Sequence, residues 1–195
     1  MKLQRTFYTR SDVVQIAREL IGKYIFTRFD GVITGGIIIE TEAYEGVTDR
    51  ASHAFGNRRT VRTEVMYAGG GVAYVYLCYG IHSLFNVVTN QKGIPHAVLI
   101  RGILPTDGIT VMQARSGRPS LGPGSGSGPG RVSKLLGIHY SHSGIDLLGE
   151  QIWIEDRGLD LDGSILAGTR IGVEYAGMDA MLPYRFRIGE GNIRI

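Results

Sequence analysis

A single compact α+β domain, built around a curved antiparallel sheet with flanking helices and a protruding β-hairpin, is the architecture this sequence predicts. Three observations lead there. Runs of β-branched and aromatic residues bounded by Gly, Asp and Ser outnumber helical patterns along the chain. Hairpin connections outnumber helical crossovers, which favours antiparallel pairing. The length, 195 residues with 43% apolar side chains, supplies one packed core and excludes wholesale disorder.

Taken along the chain, Ser11 or Thr9 can cap a helix whose apolar positions Val13, Val14, Ala17, Leu20 and Ile21 fit a 3.6-residue period, with Gly22 closing it. Tyr24 to Arg28 reads as a strand, Asp30-Gly31 as a tight turn, and Ile33 to Tyr44 as one or two further strands. Val72 to Tyr79 and Leu84 to Thr89 flank Gly80-Ile81-His82-Ser83 and form the hairpin. Ala97 to Ile103 is the next strand. Asp107 or Thr106 can cap a short helix through Val111, Met112 and Arg115, and Arg131 to Leu136 makes another. Short strands are expected near Gln151 to Glu155, Ile171 to Tyr175 and Tyr184 to Ile188. Residues 115–130, rich in Gly, Ser and Pro, read as a flexible surface loop inside a single domain spanning 1–195.

Composition removes several function classes. No apolar run approaches the roughly 20 residues of a membrane-spanning helix, and Met1-Lys2-Leu3-Gln4-Arg5 does not open a secretory signal. One cysteine, Cys78, excludes an intrachain disulfide and a multi-cysteine zinc site. The expectation is a soluble cytoplasmic protein. Gly69-Gly70-Gly71 lacks the Lys-Ser/Thr ending of a phosphate loop, His139 and His142 lie in a Ser/Gly-rich turn, and Gly124-Ser125-Gly126-Ser127-Gly128 matches a nucleophile elbow only by low complexity. No metal and no cofactor is expected.

Charge is informative once it is divided. The net charge is +3, yet residues 50–134 hold ten Lys/Arg against two acids, a net of +8, while the flanks hold eleven against sixteen, a net of −5. Arg, the side chain suited to bidentate phosphate contacts, dominates the basic residues. A basic middle in an otherwise acidic chain points to an anionic partner, with nucleic acid the natural candidate and a solubilising surface the alternative.

The candidate chemistry is concentrated in four places. In Glu40-Thr41-Glu42-Ala43-Tyr44, strand alternation puts Glu40, Glu42 and Tyr44 on one face. Partial burial beside the upstream isoleucines would raise a carboxylate's pKa toward that of a useful base; an edge strand with solvated acids is the alternative. In Tyr74-Val75-Tyr76-Leu77-Cys78-Tyr79-Gly80, Tyr74 packs the sheet, and Tyr79 falls at the hairpin tip, where an aromatic is either exposed or inserted into something. Arg101 follows four apolar residues and is either at an exposed strand end or buried beside an acid such as Glu42. His53 precedes the cluster Arg58, Arg59 and Arg62.

Together these segments resemble the alkyladenine (3-methyladenine) DNA glycosylase family, also called methylpurine DNA glycosylases. Glu40 to Tyr44, Ser52-His53-Ala54, Tyr74-Val75-Tyr76, Tyr79-Gly80, Asn86, Val98-Leu99-Ile100-Arg101 and Gly128-Pro129-Gly130 occur in the family's order. The resemblance implies a monofunctional hydrolase of base excision repair that needs no metal. It would flip a damaged purine from double-stranded DNA and hydrolyse its N-glycosidic bond. By position, Glu42 resembles the general base and Arg101 the residue that helps orient the attacking water. Tyr44, His53, Tyr76, Asn86 and Leu99 resemble the base pocket, and Tyr79 the side chain inserted into the vacated space. Arg58, Arg59, Arg62, Arg131 and Lys134 would meet the DNA backbone. A monomer without an obligate protein partner is expected, since one flipped base needs one pocket. The chain departs from the usual pattern at Thr63, Tyr67, Gly69-Gly70-Gly71, Gly102, Leu104 and Val132-Ser133. None of these is a proposed catalytic group. The competing expectation is a non-catalytic nucleic-acid-binding module using the same basic surface.

Overall fold

The computed structural model describes residues 1–122, 124–159, 161 and 165–189. Eight strands form one curled antiparallel sheet with helices against one face. The elements are α1 (Arg5–Tyr8), α2 (Val13–Leu20), β1 (Tyr24–Phe29), β2 (Val32–Tyr44), β3 (Ala73–Cys78), β4 (His82–Thr89), β5 (His96–Asp107), α3 (Ile109–Ser116), α4 (Pro129–Leu136), β6 (Ile152–Glu155), β7 (Ile165–Gly168) and β8 (Arg185–Ile188). Strand order across the sheet is β3-β4-β5-β2-β1-β6, with β8 pairing both β2 and β7. Among the described residues, no helix is long and apolar enough to cross a membrane.

Local chemistry explains most boundaries. The cap of α2 is Asp12, which accepts the Gln15 N–H at 2.8 Å, rather than the expected Ser11 or Thr9. Val13, Ile16, Ala17 and Leu20 bury its inner face, and Gly22 turns the chain at φ +83. Asp30 and Gly31 both take positive φ, the requirement of a tight hairpin turn. Strand β5 runs on to Asp107 instead of stopping near Ile103. Helix α3 therefore starts after Gly108, at φ +68, and neither Thr106 nor Asp107 caps it. Helix α4 begins two residues earlier than expected because Pro129 fits the first helical turn, where its missing N–H costs nothing.

One expected strand is absent. Residues 171–175 alternate apolar and other side chains, but Gly172 at φ +74 breaks the extended path, and a 3-10 run over Glu174–Met181 follows. Strand β7 escaped notice because its short apolar sequence is half-exposed and lacks alternation.

The sheet's two faces have separate duties. Ala43, Ala73, Val75, Phe85, Val87, Val98 and Ile100 join the main core with α2 and α4. The alternate positions on the same strands face the other way. Register then makes a row across four neighbouring strands: Tyr74 opposes Asn86, Asn86 opposes Leu99, and Leu99 opposes Glu42. Directly opposed residues share a face, so these four side chains line up by topology alone. A second apolar cluster of Ala54, Met66, Tyr67, Tyr74, Val88 and Ala97 packs residues 51–68 onto this face.

The pairing of β2 with β5 carries two irregularities beside this row. Glu40 opposes Gly102 and Thr41 opposes Ile100, so Arg101 is an extra, unopposed residue. Such a bulge re-aims a side chain. The end of the Gly/Ser/Pro-rich tract packs against it: the Gly128 N–H donates to the Arg101 carbonyl at 2.8 Å, and Ser127 bridges Gly102. Gly126 lies so close that a Cβ there would sit 2.1 Å from the Ile103 carbonyl oxygen. Gly126→Ala is therefore expected to lower stability by about 1–3 kcal/mol, read by urea unfolding. An unchanged midpoint would mean that the tract gives way freely.

Candidate active site

Glu42 sits on β2 between β5 and β8, and its side chain is fully buried. Both carboxylate oxygens are engaged. Oε1 accepts the backbone N–H of Ile171 at 2.9 Å, and Oε2 accepts the Tyr44 hydroxyl at 2.8 Å. The Arg101 guanidinium is beside both, with Nε 3.4 Å from Oε1 and Nη1 3.5 Å from Oε2. Arg101 Nε also lies 3.2 Å from Glu40, which accepts Arg185 Nε at 2.6 Å. Two acids and two bases thus form one compact network. Burial pushes the Glu42 carboxyl above the usual carboxylate range, against the opposing pull of Arg101, the Ile171 amide and the Tyr44 hydroxyl; Glu40 adds to the rise. A carboxylate tuned upward in this way is suited to taking a proton near neutrality.

In front of Glu42 opens a cavity of about 420 Å³, whose walls include the three residues that bond it, Tyr44, Arg101 and Ile171. Aromatic rings form the opposite wall. The His53 ring stands edge-on to Tyr76 at 4.6 Å and 79°, and its Nδ1 is 2.8 Å from the Tyr74 hydroxyl. Burial, with Arg62 and Arg58 nearby, pushes the His53 pKa down to about 4, so the ring is neutral at physiological pH. Asn86 Nδ2 donates to the carbonyls of Tyr74 and Leu84, which fixes the side chain in the cavity wall beside Leu99. The aromatic walls suit a flat, polarisable ligand.

Tyr79 stands at the cavity mouth on the β3–β4 turn, 93% exposed, at φ +51 with Gly80 at φ +73. Positive φ at both residues is what this tight hairpin turn requires, with the Ile81 N–H donating to the Cys78 carbonyl at 3.1 Å. Leu77 and Ile81 beside it are also exposed.

The sequence-derived residues separate into two groups. Arg101, Tyr44, His53, Tyr76, Asn86 and Leu99 line this one cavity and Tyr79 rims it, while Glu42 lies behind the wall, bonded to Tyr44, Arg101 and Ile171. Tyr74, expected to pack the sheet, is buried and also bonds His53. Of the basic residues, Arg62 reaches the cavity, with its guanidinium 5.8 Å from the Tyr76 ring. Arg58 is exposed, and Arg59 is held bidentately by Glu64 at 2.6 and 2.7 Å and covers Tyr67. Arg131 and Lys134 flank a separate small cleft with Arg118. Among the described residues, no group of three His, Cys, Asp or Glu side chains is placed to hold a metal ion.

Several contributors escaped the sequence reading. Arg170 and Asp49 form a buried ion pair whose partners are 121 residues apart, and Ile171 acts through its backbone N–H. Tyr175, from the 3-10 run, closes the cavity's outer edge and donates to the Ala51 carbonyl at 3.1 Å. An amide has no side-chain signature, and nothing local marks Asp49 as the mate of Arg170.

A recessed, upward-tuned carboxylate behind an aromatic pocket suits a hydrolase. Comparison with known proteins states which. The family model described as methylpurine-DNA glycosylase matches residues 6–192. A protein of Chlamydia felis is 43% identical over 185 residues, covering 94% of each chain. One of Clostridium acetobutylicum is 39% identical, covering 98% of this chain and 96% of its own, and one of Desulfitobacterium hafniense is 38% identical, covering 95% and 94%. All three carry the provisional name 3-methyladenine DNA glycosylase. The chain belongs to the methylpurine-DNA glycosylase family, enzymes of base excision repair.

Proposed function

We propose that this protein is a monofunctional DNA glycosylase that takes 3-methyladenine and related alkylated or deaminated purines out of double-stranded DNA. The observation that carries the reading is the Glu42 carboxylate, buried behind the aromatic pocket with both oxygens oriented. The damaged nucleotide turns out of the stack and its base enters between Tyr44, His53 and Tyr76. Alkylation leaves positive charge on the ring, which improves the leaving group and strengthens its attraction to electron-rich aromatic faces. The neutral His53 adds no repulsion. Glu42 removes a proton from a water held with the help of Arg101, and the resulting hydroxide attacks the sugar C1′ as the C1′–N bond breaks toward the base. Leu99 and Asn86 shape the inner wall, where Asn86 disfavours the exocyclic amine of guanine. Tyr79 fills the gap left in the duplex.

Arg58, Arg59, Arg62, Arg131 and Lys134 bind phosphates, with Arg59 exchanging Glu64 for the DNA. The chain acts as a single-domain monomer in the cytoplasm; the tract at 115–130, expected as a flexible surface loop, has its ends in α3 and α4 and its residues 126–128 packed on β5. Phosphate contacts release counterions, so five of them predict a log K against log salt slope of about −4.5. Arg58→Ala and Lys134→Ala should each flatten it by about one. A slope unmoved in both variants would remove these side chains from the interface.

The deciding experiment is release of free base from methylated duplex DNA in the presence of a chelator. Release of 3-methyladenine, with strand breaks appearing only after alkali, supports the reading. Breakage without alkali would replace the monofunctional mechanism with a lyase. An absence of release across alkylated and deaminated purines would leave a DNA-binding module.

A further inference from the structure

We propose that the Arg170–Asp49 pair is a positioning device for the catalytic carboxylate, clamping the chain so that the Ile171 amide and the Tyr44 ring meet the two oxygens of Glu42. The inference rests on the reading of Glu42 as the general base.

Arg170 is 5% exposed, and its bonds reach three separate parts of the chain. Nη1 bonds Asp49 Oδ2 and the Ala43 carbonyl, the latter at 2.9 Å, and Nη2 bonds Asp49 Oδ1 at 2.9 Å and the Asp179 carbonyl at 3.0 Å. The guanidinium lies 4.9 Å from the Tyr44 ring and 5.3 Å from that of Tyr184. Asp49 in turn accepts the Glu45 and Ala51 N–H groups. One side chain therefore ties the end of β2, the turn after it and the 3-10 run to the residue directly before Ile171.

Residues 169–173 belong to neither strand nor helix, so no ladder of backbone bonds fixes where the Ile171 N–H points. The clamp supplies that restraint. It also explains why a charged pair is buried here, since burying two charges costs free energy that their attraction does not reliably return. The groups facing Glu42 are Tyr44 and Glu40 from β2, Arg101 from β5 and the Ile171 amide from the strap. Arg185 of β8 is spent on Glu40, and Arg170 on Asp49. The Arg170 charge also reaches Glu42, opposed by the Asp49 carboxylate it is bonded to, and the clamp adds to this a restraint on the strap and the Tyr44 ring.

Loosening the clamp takes the Ile171 N–H away from Oε1. That bond favours the ionised carboxylate, so its loss raises the Glu42 pKa further and moves the acidic limb of the rate profile to higher pH. The experiment is single-turnover base release from methylated duplex across pH for wild type, Arg170→Lys, Asp49→Asn and Glu42→Gln. Thermal melting and affinity for undamaged duplex are read in parallel. Lys keeps the charge of Arg170 but cannot make its four bonds. In Arg170→Lys, release on the acidic limb is expected to fall about tenfold or more, the loss shrinking as pH rises past that limb; in Asp49→Asn the uncompensated Arg170 charge makes the limb move up less. Affinity for undamaged duplex should stay within about threefold of wild type. If Arg170→Lys fails to fold, the paired replacement Arg170→Gln with Asp49→Asn removes both charges and carries the same expectation. A limb that stays at the wild-type pH while rate tracks the folded fraction overturns the proposal and leaves an ordinary buried ion pair. A limb retained in Glu42→Gln instead removes the general-base reading itself, and the clamp's role with it.

Discussion

Replacing Glu42 with Gln is expected to slow base release by about 10²- to 10⁴-fold, the span that a positioned general base contributes, while binding to damaged duplex persists. Glutamine keeps an acceptor for the Ile171 amide or the Tyr44 hydroxyl but offers an N–H₂ where Arg101 already brings donors. It cannot take a proton from water. Binding survives because the carboxylate lies behind Tyr44, Arg101 and Ile171 rather than in the outer wall. The wild-type profile adds a check. With the Glu42 pKa raised, activity should fall as pH drops through a point above the ordinary carboxylate value, and this limb should vanish in the residual rate of the variant.

The same shift makes a stability statement of opposite sense. A folded-state pKa above the unfolded value means that the native protein binds more protons, so the ionised carboxylate destabilises the fold as pH rises through that window. At neutral pH the Glu42→Gln protein should melt at or above the wild-type temperature, and the difference should close below the ordinary carboxylate range, where both forms are neutral. A melting temperature well below wild type at neutral pH would mean that the carboxylate holds the network together. Wild-type release rates in Glu42→Gln would place the base elsewhere.

What the sequence revealed of this site follows from the range of each signal. Two-residue alternation put Glu40, Glu42 and Tyr44 on one face, and the sheet keeps them there. The order of motifs brought in Asn86 and Leu99. Register aligns them, because β4 and β5 set Asn86 and Leu99 between Tyr74 and Glu42. The bulge that frees Arg101 was invisible, since it depends on how two strands distant in sequence slip past one another. The stretch 171–175 looked like a strand by pattern, and a single left-handed glycine made it the strap over the site. Backbone groups and long-range ion pairs leave no local pattern, which is why Ile171 and the Arg170–Asp49 pair emerge only from the fold.

Tyr79→Ala is expected to reduce base release from duplex DNA by about 10- to 100-fold while leaving release from single-stranded DNA nearly unchanged. The asymmetry follows from where the side chain stands. At 93% exposure, it has no core contact to lose, so truncation should leave the melting temperature within a degree or two. Its left-handed φ comes with the tight turn it shares with Gly80, which holds the ring out at the hairpin tip. In a duplex, extruding a base costs a few kcal/mol of stacking and pairing, and a ring inserted in the gap offsets part of it. In a single strand there is no gap to fill. A mispaired lesion, already poorly held, should therefore suffer less from the truncation than a well-paired one. Tyr79→Phe, which keeps the ring and loses only the hydroxyl, should retain most activity on both substrates. Equal losses on single and double strands would instead assign Tyr79 to the cavity mouth, as a wall for the base rather than a wedge in the helix.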